Sequence, residues 1–497
     1  MSEVLRKARE YEEKHRKEPP AEIRPKFHFT APVGWLNDPN GFSWYQDRYH
    51  LFYQYHPYGT KWGSVHWGHA VSSDLIQWEH VPAAMAPEDD YDRDGCFSGS
   101  AITMKDGSHL LMYTGFVYDE SDPKHRGIQT QNIAIGDGSN YRKCTSNPVL
   151  SVDDIPGGGD PYDFRDPKVW MDHDGILNAV IASGEEMSGA RIIVFRSNDG
   201  VHWKYSHVLL ENRYRFGRMW ECPDYFPLDD AEVILVNAMD MEEASPEFHS
   251  GNNGLFFLGR TDPDSKRFLE SSVHTLDHGM DFYAGQTMLA PDGRRILIGW
   301  MQNPGTASEH ETVHSYFGQM SIPRELHIEK GRLLQMPIRE LESYRTCAVE
   351  HRNVTLCSEK KKLDGVSGRI LDMELIIRCR DFKRPFNHFE MRFAQHGDRF
   401  AALTFSPVSR SLRVSRPFSP ETSMKLNERE TVLPKWDGML QIRMILDEGS
   451  AELFLNGGET VFSMTLETDP KADNITFVSD GDLILDVKTY KLDSTLR

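Results

Sequence analysis

The sequence consists almost throughout of short aromatic and β-branched runs separated by Gly, Asp, Asn and Pro. This alternation is typical of many strands joined by turns, and helical periodicity is nearly absent. Residues 41–55 predict two aromatic-rich strands that meet near Gln46 and Asp47. Residues 65–71 predict a third strand, and a fourth follows Ser73. These strands together predict one four-stranded antiparallel unit.

The four-stranded unit repeats along the chain. Residues 73–78 and 198–203 both place an acidic turn before a Trp-bearing strand. Candidate first strands begin near Asp38, Phe97, Asp166, Glu221 and Asp281. Their spacing of roughly 55 to 70 residues is long for a common propeller blade but allows insertions. Five starts predict a five-bladed β-propeller, in which the innermost strands surround one axis and bring distant residues together.

The last third of the chain changes character. Residues 338–345 have a helical pattern, and alternating strands follow at 371–378, 388–393, 400–405, 439–446, 451–455 and 483–487. These strands predict a β-sandwich. The predicted fold is therefore all-β, a five-bladed β-propeller followed by a C-terminal β-sandwich. The predicted parts are a charged helical segment over 1–20, the propeller over 21–337, a linker over 338–347 and the sandwich over 348–497.

Charge and composition limit the possible partners. The 497 residues carry a formal charge of -19, which disfavours nucleic acid and anionic membranes because phosphates are bound by clustered Lys and Arg. No run approaches the roughly 20 apolar residues of a membrane helix. The N-terminus is densely charged and lacks the apolar centre of a secretion signal, which predicts a short exposed helix and a cytoplasmic protein. The six scattered cysteines predict neither a disulfide framework nor a zinc site.

Asp38 lies between an aromatic run and a tight turn. The stretch 37–41 reads Asn-Asp-Pro-Asn-Gly, and these residues favour turns on their own account. The sequence near this acid contains Trp35, Gln54 and Trp62. Aromatic and amide side chains of this kind line sugar pockets. We therefore interpret Asp38 as a candidate nucleophile of a sugar-cleaving enzyme.

Two further acids lie in comparable segments. Arg165 directly precedes Asp166, and strand alternation sends their side chains to opposite faces unless the chain bulges there. A structural Arg-Asp pair remains open for Arg165, and so does a role in holding a different carboxylate or a hydroxyl. Glu221 precedes Cys222, which the same alternation places on the opposite face as a small core residue.

Metal sites are not predicted, and no cofactor is implied. The acids from Asp90 to Asp94 begin like a calcium loop, but Ala101 stands where the closing Glu is required. His66 and His69 lack the Glu of a zinc-protease helix.

Four motifs in order closely resemble glycoside hydrolase family 32, the β-fructofuranosidases that include invertases, sucrose-6-phosphate hydrolases and fructan hydrolases. They are Trp35-Leu-Asn-Asp-Pro-Asn-Gly41, Phe97-Ser-Gly99, Arg165-Asp-Pro167 and Glu221-Cys222. The resemblance covers about 27–337 and, more loosely, 446–463. It implies the same propeller and sandwich that the strand pattern predicts.

The resemblance also implies roles. Asp38 is the expected nucleophile, Glu221 the acid that protonates the leaving oxygen and then activates water, and Asp166 the ligand of ring hydroxyls. The fructose pocket implied by the resemblance is lined by Trp35, Asn37, Gln54, Trp62, Phe97, Ser98, Arg165 and Trp300.

The expected activity is retaining hydrolysis of terminal β-D-fructofuranosides such as sucrose and short fructo-oligosaccharides. A sucrose-6-phosphate hydrolase with the same mechanism is the alternative. An arabinan-degrading propeller hydrolase and a non-catalytic sugar-binding propeller are more remote ones. The expected partner is a small-molecule fructoside, and the subunit is expected to be a monomer or a homodimer.

Overall fold

Five antiparallel sheets follow one another along residues 34–337, and two larger sheets form the rest of the chain. The computed structural model describes residues 1–16, 24–307, 312, 314–381, 386–416, 426–469 and 471–496. Within these residues the predicted all-β fold is confirmed.

Each of the first five sheets is one blade. The first holds β1 (Gly34–Tyr45), β2 (Arg48–His56), β3 (His66–Ser72) and β4 (Trp78–Met85). The second holds β5 (Gly95–Thr103), β6 (His109–Tyr118), β7 (Gly127–Gly136) and β8 (Tyr141–Lys143). The third holds β9 (Phe164–Met171), β10 (Leu177–Glu185), β11 (Gly189–Ser197) and β12 (Trp203–Glu211). The fourth holds β13 (Met219–Leu228), β14 (Ala231–Met241), β15 (Gly251–Thr261) and β16 (Phe268–Thr275). The fifth holds β17 (Tyr283–Leu289), β18 (Arg295–Trp300), β20 (Arg324–Glu329) and β21 (Arg332–Pro337), whereas β19 (Tyr316–Phe317) crosses to the first blade.

The first strands of the blades surround one axis. They contact one another in the order β1, β5, β9, β13 and β17, and β17 contacts β1 again. The short strand β19 pairs in parallel with β1, at Gly34 and Trp35, so the last part of the propeller is hydrogen-bonded to the first blade. β5, β9, β13 and β17 remain the edge strands of their sheets, but the first strands of the neighbouring blades pack beside them, so the edges are protected as expected for a propeller.

A bulge interrupts every first strand near its start. The pairing with the second strand of the blade shifts by one residue in all five blades. The residues in the bulges are Asn37-Asp38, Phe97-Ser98, Asp166-Pro167, Cys222-Pro223 and Ala284-Gly285. Asp166, Cys222 and Ala284 adopt positive φ angles of 62°, 45° and 52°. A bulge redirects side chains. At this position of each first strand, the side chains therefore do not alternate strictly between the two faces of the sheet.

Four of the five residues that marked the predicted strand starts lie inside the first strand of their blade, and only Asp281 lies outside it. β17 begins at Tyr283, two residues after Asp281, and the Asp281 carboxylate accepts hydrogen bonds from Arg416 and Thr465 instead of facing the axis. The predicted turn at Gln46 and Asp47 is confirmed, since both have positive φ, as the two-residue hairpin between β1 and β2 requires.

The two C-terminal sheets have six strands each. Their strands are β22 (Arg345–Cys357), β23 (Lys360–Lys361), β24 (Leu371–Cys379), β25 (Phe389–His396), β26 (Arg399–Ser406), β27 (Ser411–Ser415), β28 (Glu428–Val432), β29 (Met439–Asp447), β30 (Ser450–Leu455), β31 (Thr460–Thr465), β32 (Asn474–Ser479) and β33 (Asp482–Leu492). One sheet has the order β22-β33-β24-β29-β30-β31, the other β23-β32-β25-β26-β27-β28. The predicted linker contains a 3₁₀ helix over Arg339–Tyr344 and the first residues of β22.

The propeller and the sandwich share a buried polar boundary. The backbone N–H groups of His278 and Met280 donate to the carbonyls of Val461 and Ser463 on β31, at 2.8 and 3.0 Å. Arg324 of β20 is fully buried and pairs with Glu452 of the sandwich as well as with Asp277 of the propeller. The two domains are therefore joined by hydrogen bonds and charges as well as by apolar contacts.

The N-terminal helix α1 (Glu3–His15) packs against the first blade. Its Leu5, Ala8 and Glu12 are buried, and the backbone N–H of Ala83 donates to Glu12. The expectation of a merely exposed helix is therefore wrong for one face, since the apolar residues among the charges follow helical spacing. Residues 17–23, which span the predicted boundary at 20, lie outside the described part. A second, short helix covers Pro304–Ala307. Among the described residues, no helix combines the length and apolarity needed to cross a membrane.

Candidate active site

The bulged ends of the first strands line one cavity of about 650 Å³. Ten of the eleven residues proposed from the sequence line it: Trp35, Asn37, Asp38, Gln54, Trp62, Phe97, Arg165, Asp166, Glu221 and Trp300. The remaining one, Ser98, is buried directly behind Asp38. The structure therefore brings together residues that are up to 265 positions apart in the chain, from Trp35 to Trp300.

Asp38 accepts hydrogen bonds from three side chains. Ser98 Oγ donates to Oδ2 at 2.7 Å, Asn37 Nδ2 donates to Oδ1 at 3.1 Å, and the Cys222 thiol donates to Oδ2 at 3.4 Å. Trp35 Nε1 fixes the Asn37 amide at 2.8 Å, and Gln54 donates to Ser98. Burial raises the pKa of Asp38, whereas these three donors lower it because they favour the ionised form.

Asp166 is buried beside the bulge of the fourth blade. Its Oδ2 accepts the backbone N–H of Cys222 at 2.8 Å, and its own N–H donates to Thr114 Oγ1 at 2.8 Å. Burial raises the pKa of Asp166 to about 7; Arg165 opposes this shift, whereas the charges of Glu221 and Asp38 add to it. A proton is therefore available within this group of acids near neutral pH.

Glu221 is held between a hydroxyl and a guanidinium. Tyr283 donates to Oε2 at 2.7 Å, and Arg165 Nε lies 3.2 Å from Oε1 in an ion pair. Burial raises the pKa of Glu221, Arg165 lowers it, and the charge of Asp38 raises it. Asp38 and Glu221 thus repel each other electrostatically and have different hydrogen-bond partners, and such differences separate the protonation states of two carboxyls.

Arg165 contacts carboxylates other than its neighbour in sequence. Its Nη1 donates to Asp163 Oδ1 at 2.8 Å and to Gln129 Oε1 at 3.1 Å, in addition to the ion pair with Glu221. The bulge at Asp166 lets both Arg165 and Asp166 reach the cavity. The alternative in which Arg165 is a ligand to another carboxylate is therefore the one that the structure shows.

Cys222 differs from the sequence prediction. It is buried, as a core residue is, but its thiol and its backbone N–H contact Asp38 and Asp166. The positive φ of 45° in the bulge turns it away from the face opposite Glu221. The placement on the opposite face was wrong because strand alternation does not continue through a bulge.

Aromatic rings form the walls of the cavity. Trp35 stacks on Phe317 with ring centroids 4.7 Å apart and packs against Trp300 at 5.9 Å. Phe97 stacks on Phe116 at 4.3 Å, and Trp62, 45% exposed, meets Phe97 edge-on at the mouth. Aromatic walls with a few convergent polar groups are typical of sites for small ligands.

Several cavity residues were not predicted from the sequence. Tyr283 occupies the position in the fifth blade that Arg165 and Glu221 occupy in the third and fourth, directly before the bulge. Aligning the five blade starts by this position was the signal that could have identified it. The rim residues Lys124, Arg126 and Arg218 carried no comparable signal, because they lie on loops between strands.

Comparisons with known proteins agree with this arrangement. The profile of the glycosyl hydrolases family 32 N-terminal domain matches residues 28–337, and that of the family 32 C-terminal domain matches 340–493. A sucrose-6-phosphate hydrolase of Escherichia coli is 34% identical over 475 residues, and a raffinose invertase of Escherichia coli is 33% identical over 469, each pair with 93% of both chains covered. A family 32 β-fructofuranosidase of Bombyx mori superposes with a TM-score of 0.81 at 32% identity, covering 98% of each chain. The chain belongs to glycoside hydrolase family 32.

Proposed function

We propose that the protein hydrolyses terminal non-reducing β-D-fructofuranosides, such as sucrose and short fructo-oligosaccharides, with retention of configuration. One observation carries the proposal: Asp38 and Glu221 line the same cavity with different partners, Asp38 among neutral donors and Glu221 between a hydroxyl and a guanidinium. A retaining glycosidase needs such a pair, one carboxylate ionised and one protonated.

In the proposed reaction Asp38 is the nucleophile. The hydrogen bonds from Ser98 and Asn37 favour its ionised form and partly offset the rise in pKa that burial causes. The ionised carboxylate offers an oxygen for attack on the anomeric carbon of the fructosyl unit. Glu221 gives its proton to the leaving oxygen as that bond breaks, so a covalent fructosyl-enzyme forms. Glu221 then takes a proton from water, which attacks the same carbon and releases fructose and free Asp38.

Asp166 is assigned to the hydroxyls of the fructosyl ring. It is buried and held by the N–H of Cys222, so it presents a fixed acceptor in the cavity. Fixed groups of this kind stabilise a transition state without reorganising. Trp35, Gln54, Phe97 and Trp300 would enclose the ring, and Trp62 would cover it at the mouth.

The relatives support a sucrose-like substrate. They include a raffinose invertase of Escherichia coli, and a mutant of the Bombyx mori β-fructofuranosidase was solved in complex with sucrose. The deciding experiment is a product analysis of digests of sucrose, kestose, inulin and levan, with proton NMR of the first fructose formed. We expect β-fructofuranose first. The α anomer would contradict retention, and no fructose from any of these substrates or from sucrose 6-phosphate would contradict the proposal.

Sucrose 6-phosphate is the second candidate, favoured by cations at the cavity mouth. Lys124, Arg126 and Arg218 line the outer part of the cavity. Arg126 and Arg218 pair with Asp122 and Asp163, whereas Lys124 has no ion pair within the described residues. A sucrose-6-phosphate hydrolase of Escherichia coli is among the relatives. Side-by-side kcat/KM on both sugars, with Lys124→Ala, decides: a loss confined to the phosphorylated sugar supports this candidate, and equal rates on both exclude phosphate recognition.

Neither remote alternative gains support from the described contacts. An arabinan-degrading hydrolase would leave the family assignment unexplained, and a non-catalytic propeller would not need all three acids in one cavity. Assay on arabinan is the corresponding control.

We further propose that residues 21–337 are the catalytic domain and 348–497 a supporting sandwich, with 338–347 as the linker. A cytoplasmic location is also proposed, supported by six cysteines that are all free. Light scattering distinguishes a monomer from a homodimer, the two states expected for the subunit.

A further inference from the structure

The loop between β12 and β13 borders the cavity on the side of the third and fourth blades. Arg218, at its end, lines the cavity and donates to Asp163 Oδ2 at 2.9 Å. Four residues earlier, Tyr214 is 54% exposed. A single exposed aromatic residue is ordinary and indicates no site by itself. The contacts that hold this ring in place are what make it a candidate ligand contact.

Three constraints fix the Tyr214 ring. Its hydroxyl donates to the Glu186 carbonyl at 2.7 Å. One side of the ring lies against Gly189, where an added Cβ would come within 3.2 Å of the ring atoms Cδ1 and Cε1. Arg213 and Tyr214 both adopt left-handed φ angles, 50° and 57°. Two consecutive non-glycine residues in this region are uncommon, and such strain is found at functional sites more often than elsewhere.

The loop itself is closed by one side chain. Asn212 Nδ2 donates to the carbonyls of Phe216 and Gly217 at 3.1 and 2.7 Å, and Asn212 Oδ1 accepts the N–H of Phe216 at 2.9 Å. Arg215 is held outside by two hydrogen bonds to Glu270. Tyr214 therefore stands on a rigid base, and a ligand that contacts its ring immobilises little that is free beforehand.

Gly189 connects the ring to the cavity. The position of its absent Cβ is 3.2 Å from the Tyr214 ring and 3.4 Å from the Arg218 carbonyl oxygen. Arg218 in turn contacts Asp163, which binds Arg165 beside Glu221. The exposed ring therefore packs against the same glycine as the backbone of Arg218, whose side chain lines the cavity beside the acids.

We propose that Tyr214 is a stacking platform for an uncharged sugar ring of the leaving group, beyond the units that the cavity itself encloses. Resting on the proposed function, this assigns a distal subsite to neutral fructo-oligosaccharides of three or more units. The C–H face of a sugar ring is weakly positive and apolar, and it packs on the negative face of an aromatic ring. The bonded hydroxyl lets Tyr214 offer its face without leaving a polar group unpaired.

Chain-length dependence tests the platform. We expect Tyr214→Ala to leave kcat/KM for sucrose within twofold, and to lower kcat/KM for the tetrasaccharide nystose about three- to tenfold through KM, the range of one aromatic contact. Tyr214→Phe, which keeps the ring, should retain the preference for nystose. Leu289→Ala is the matched control, because Leu289 is 58% exposed at the end of β17 away from Tyr283. Equal losses on both sugars, no loss on nystose, or a Phe variant that behaves like Ala would overturn the platform.

A binding measurement separates the platform from the reaction. Calorimetric titration of Asp38→Asn with sucrose and with nystose does not depend on turnover. Adding Tyr214→Ala should weaken the binding of nystose alone. An unchanged nystose affinity, or none to begin with, contradicts the platform. Failure of the wild-type enzyme to release fructose contradicts the proposed function instead.

Discussion

The hydroxyl of Tyr283 donates a 2.7 Å hydrogen bond to Oε2 of Glu221. The donor favours the ionised carboxylate, and it therefore holds the pKa of Glu221 down against the effect of burial. The proposed acid must be protonated to act, so this bond, together with the charge of Arg165, lowers the upper pH limit of activity.

Tyr283→Phe removes the donor from Glu221. The pKa of Glu221 should rise, and the basic limb of the kcat/KM profile should move to higher pH. Full pH profiles of the wild type and the variant measure the shift. Tyr225→Phe is the control, because the Tyr225 hydroxyl contacts Thr261 within the fourth blade and not one of the three acids. If the basic limb did not move, the Tyr283 hydroxyl would not influence the pKa of Glu221.

Glu221→Gln removes the proposed proton donor and leaves a neutral side chain of equal size. We expect kcat on sucrose to fall roughly 10²- to 10⁴-fold, the usual contribution of general acid–base catalysis. A substrate with a leaving group that needs no proton should recover part of the loss. Equal losses on both substrates would contradict the role as acid.

Cys222→Ala removes the weakest of the three donors to Asp38. The pKa of Asp38 should rise, and since the nucleophile must be ionised, the acidic limb of the profile should move to higher pH. Cys222→Ser keeps a donor and should resemble the wild type. The same pH series as for Tyr283→Phe measures both variants, and an acidic limb unaltered in Cys222→Ala would show that the thiol does not influence Asp38.

His28 predicts a pH dependence of stability at the domain boundary. Burial lowers the pKa of His28, but hydrogen bonds to Asp447 at 2.9 Å and Glu452 at 3.0 Å outweigh it and raise the pKa to about 9. The charged imidazole therefore stabilises the fold fully below pH 6.5, and the contribution is lost as the pH rises through 9. Its size is at most about 3 kcal/mol.

His28→Gln tests this prediction by thermal unfolding between pH 6 and 10. The variant should unfold at a lower temperature near neutrality because Asp447 and Glu452 lose a charged partner. The difference from the wild type should shrink above pH 9. A constant difference over the whole range would mean that His28 is neutral in the folded protein.

Glu12 makes the stability of the N-terminal helix fall as the pH rises. A carboxylate in an ion pair has the opposite effect, because its pKa is lowered on folding. Burial raises the pKa of Glu12 from 4.5 to about 7, against the N–H of Ala83. The folded chain keeps a proton that the unfolded chain has lost, so stability falls between pH 4.5 and 7, by roughly 3 kcal/mol in all. Hydrogen exchange in α1 should be slower in Glu12→Gln than in the wild type at pH 8 and equal at pH 4. Identical exchange at both pH values would contradict the shift.

The sequence predicted the strands better than the directions of their side chains. Short aromatic runs between Gly, Asp, Asn and Pro specify strands locally, and the blade starts followed from their repetition. The positive φ of Asp166 and Cys222 has no local signal, since neither residue is glycine. Tyr283 escaped notice because the acid of its segment, Asp281, was taken as the marker of the blade start, whereas the side chain that reaches the cavity is a tyrosine two residues later. The buried face of α1 depends on where the first blade lies, which tertiary packing decides.

The same bulge recurs in all five blades of this propeller, but the side chains in it differ in chemistry from blade to blade. All five first strands present residues at the same level, but the fifth presents only Ala284 and Gly285 there. The fifth bulge therefore holds no polar side chain, and that blade contributes to the site through Tyr283, the residue directly before its bulge. Ala284 is fully buried in the apolar core and adopts a φ of 52°, so a larger side chain there would be strained and would displace its neighbours. A redesign of specificity in this blade would therefore have to start from side chains that already line the cavity, such as Trp300.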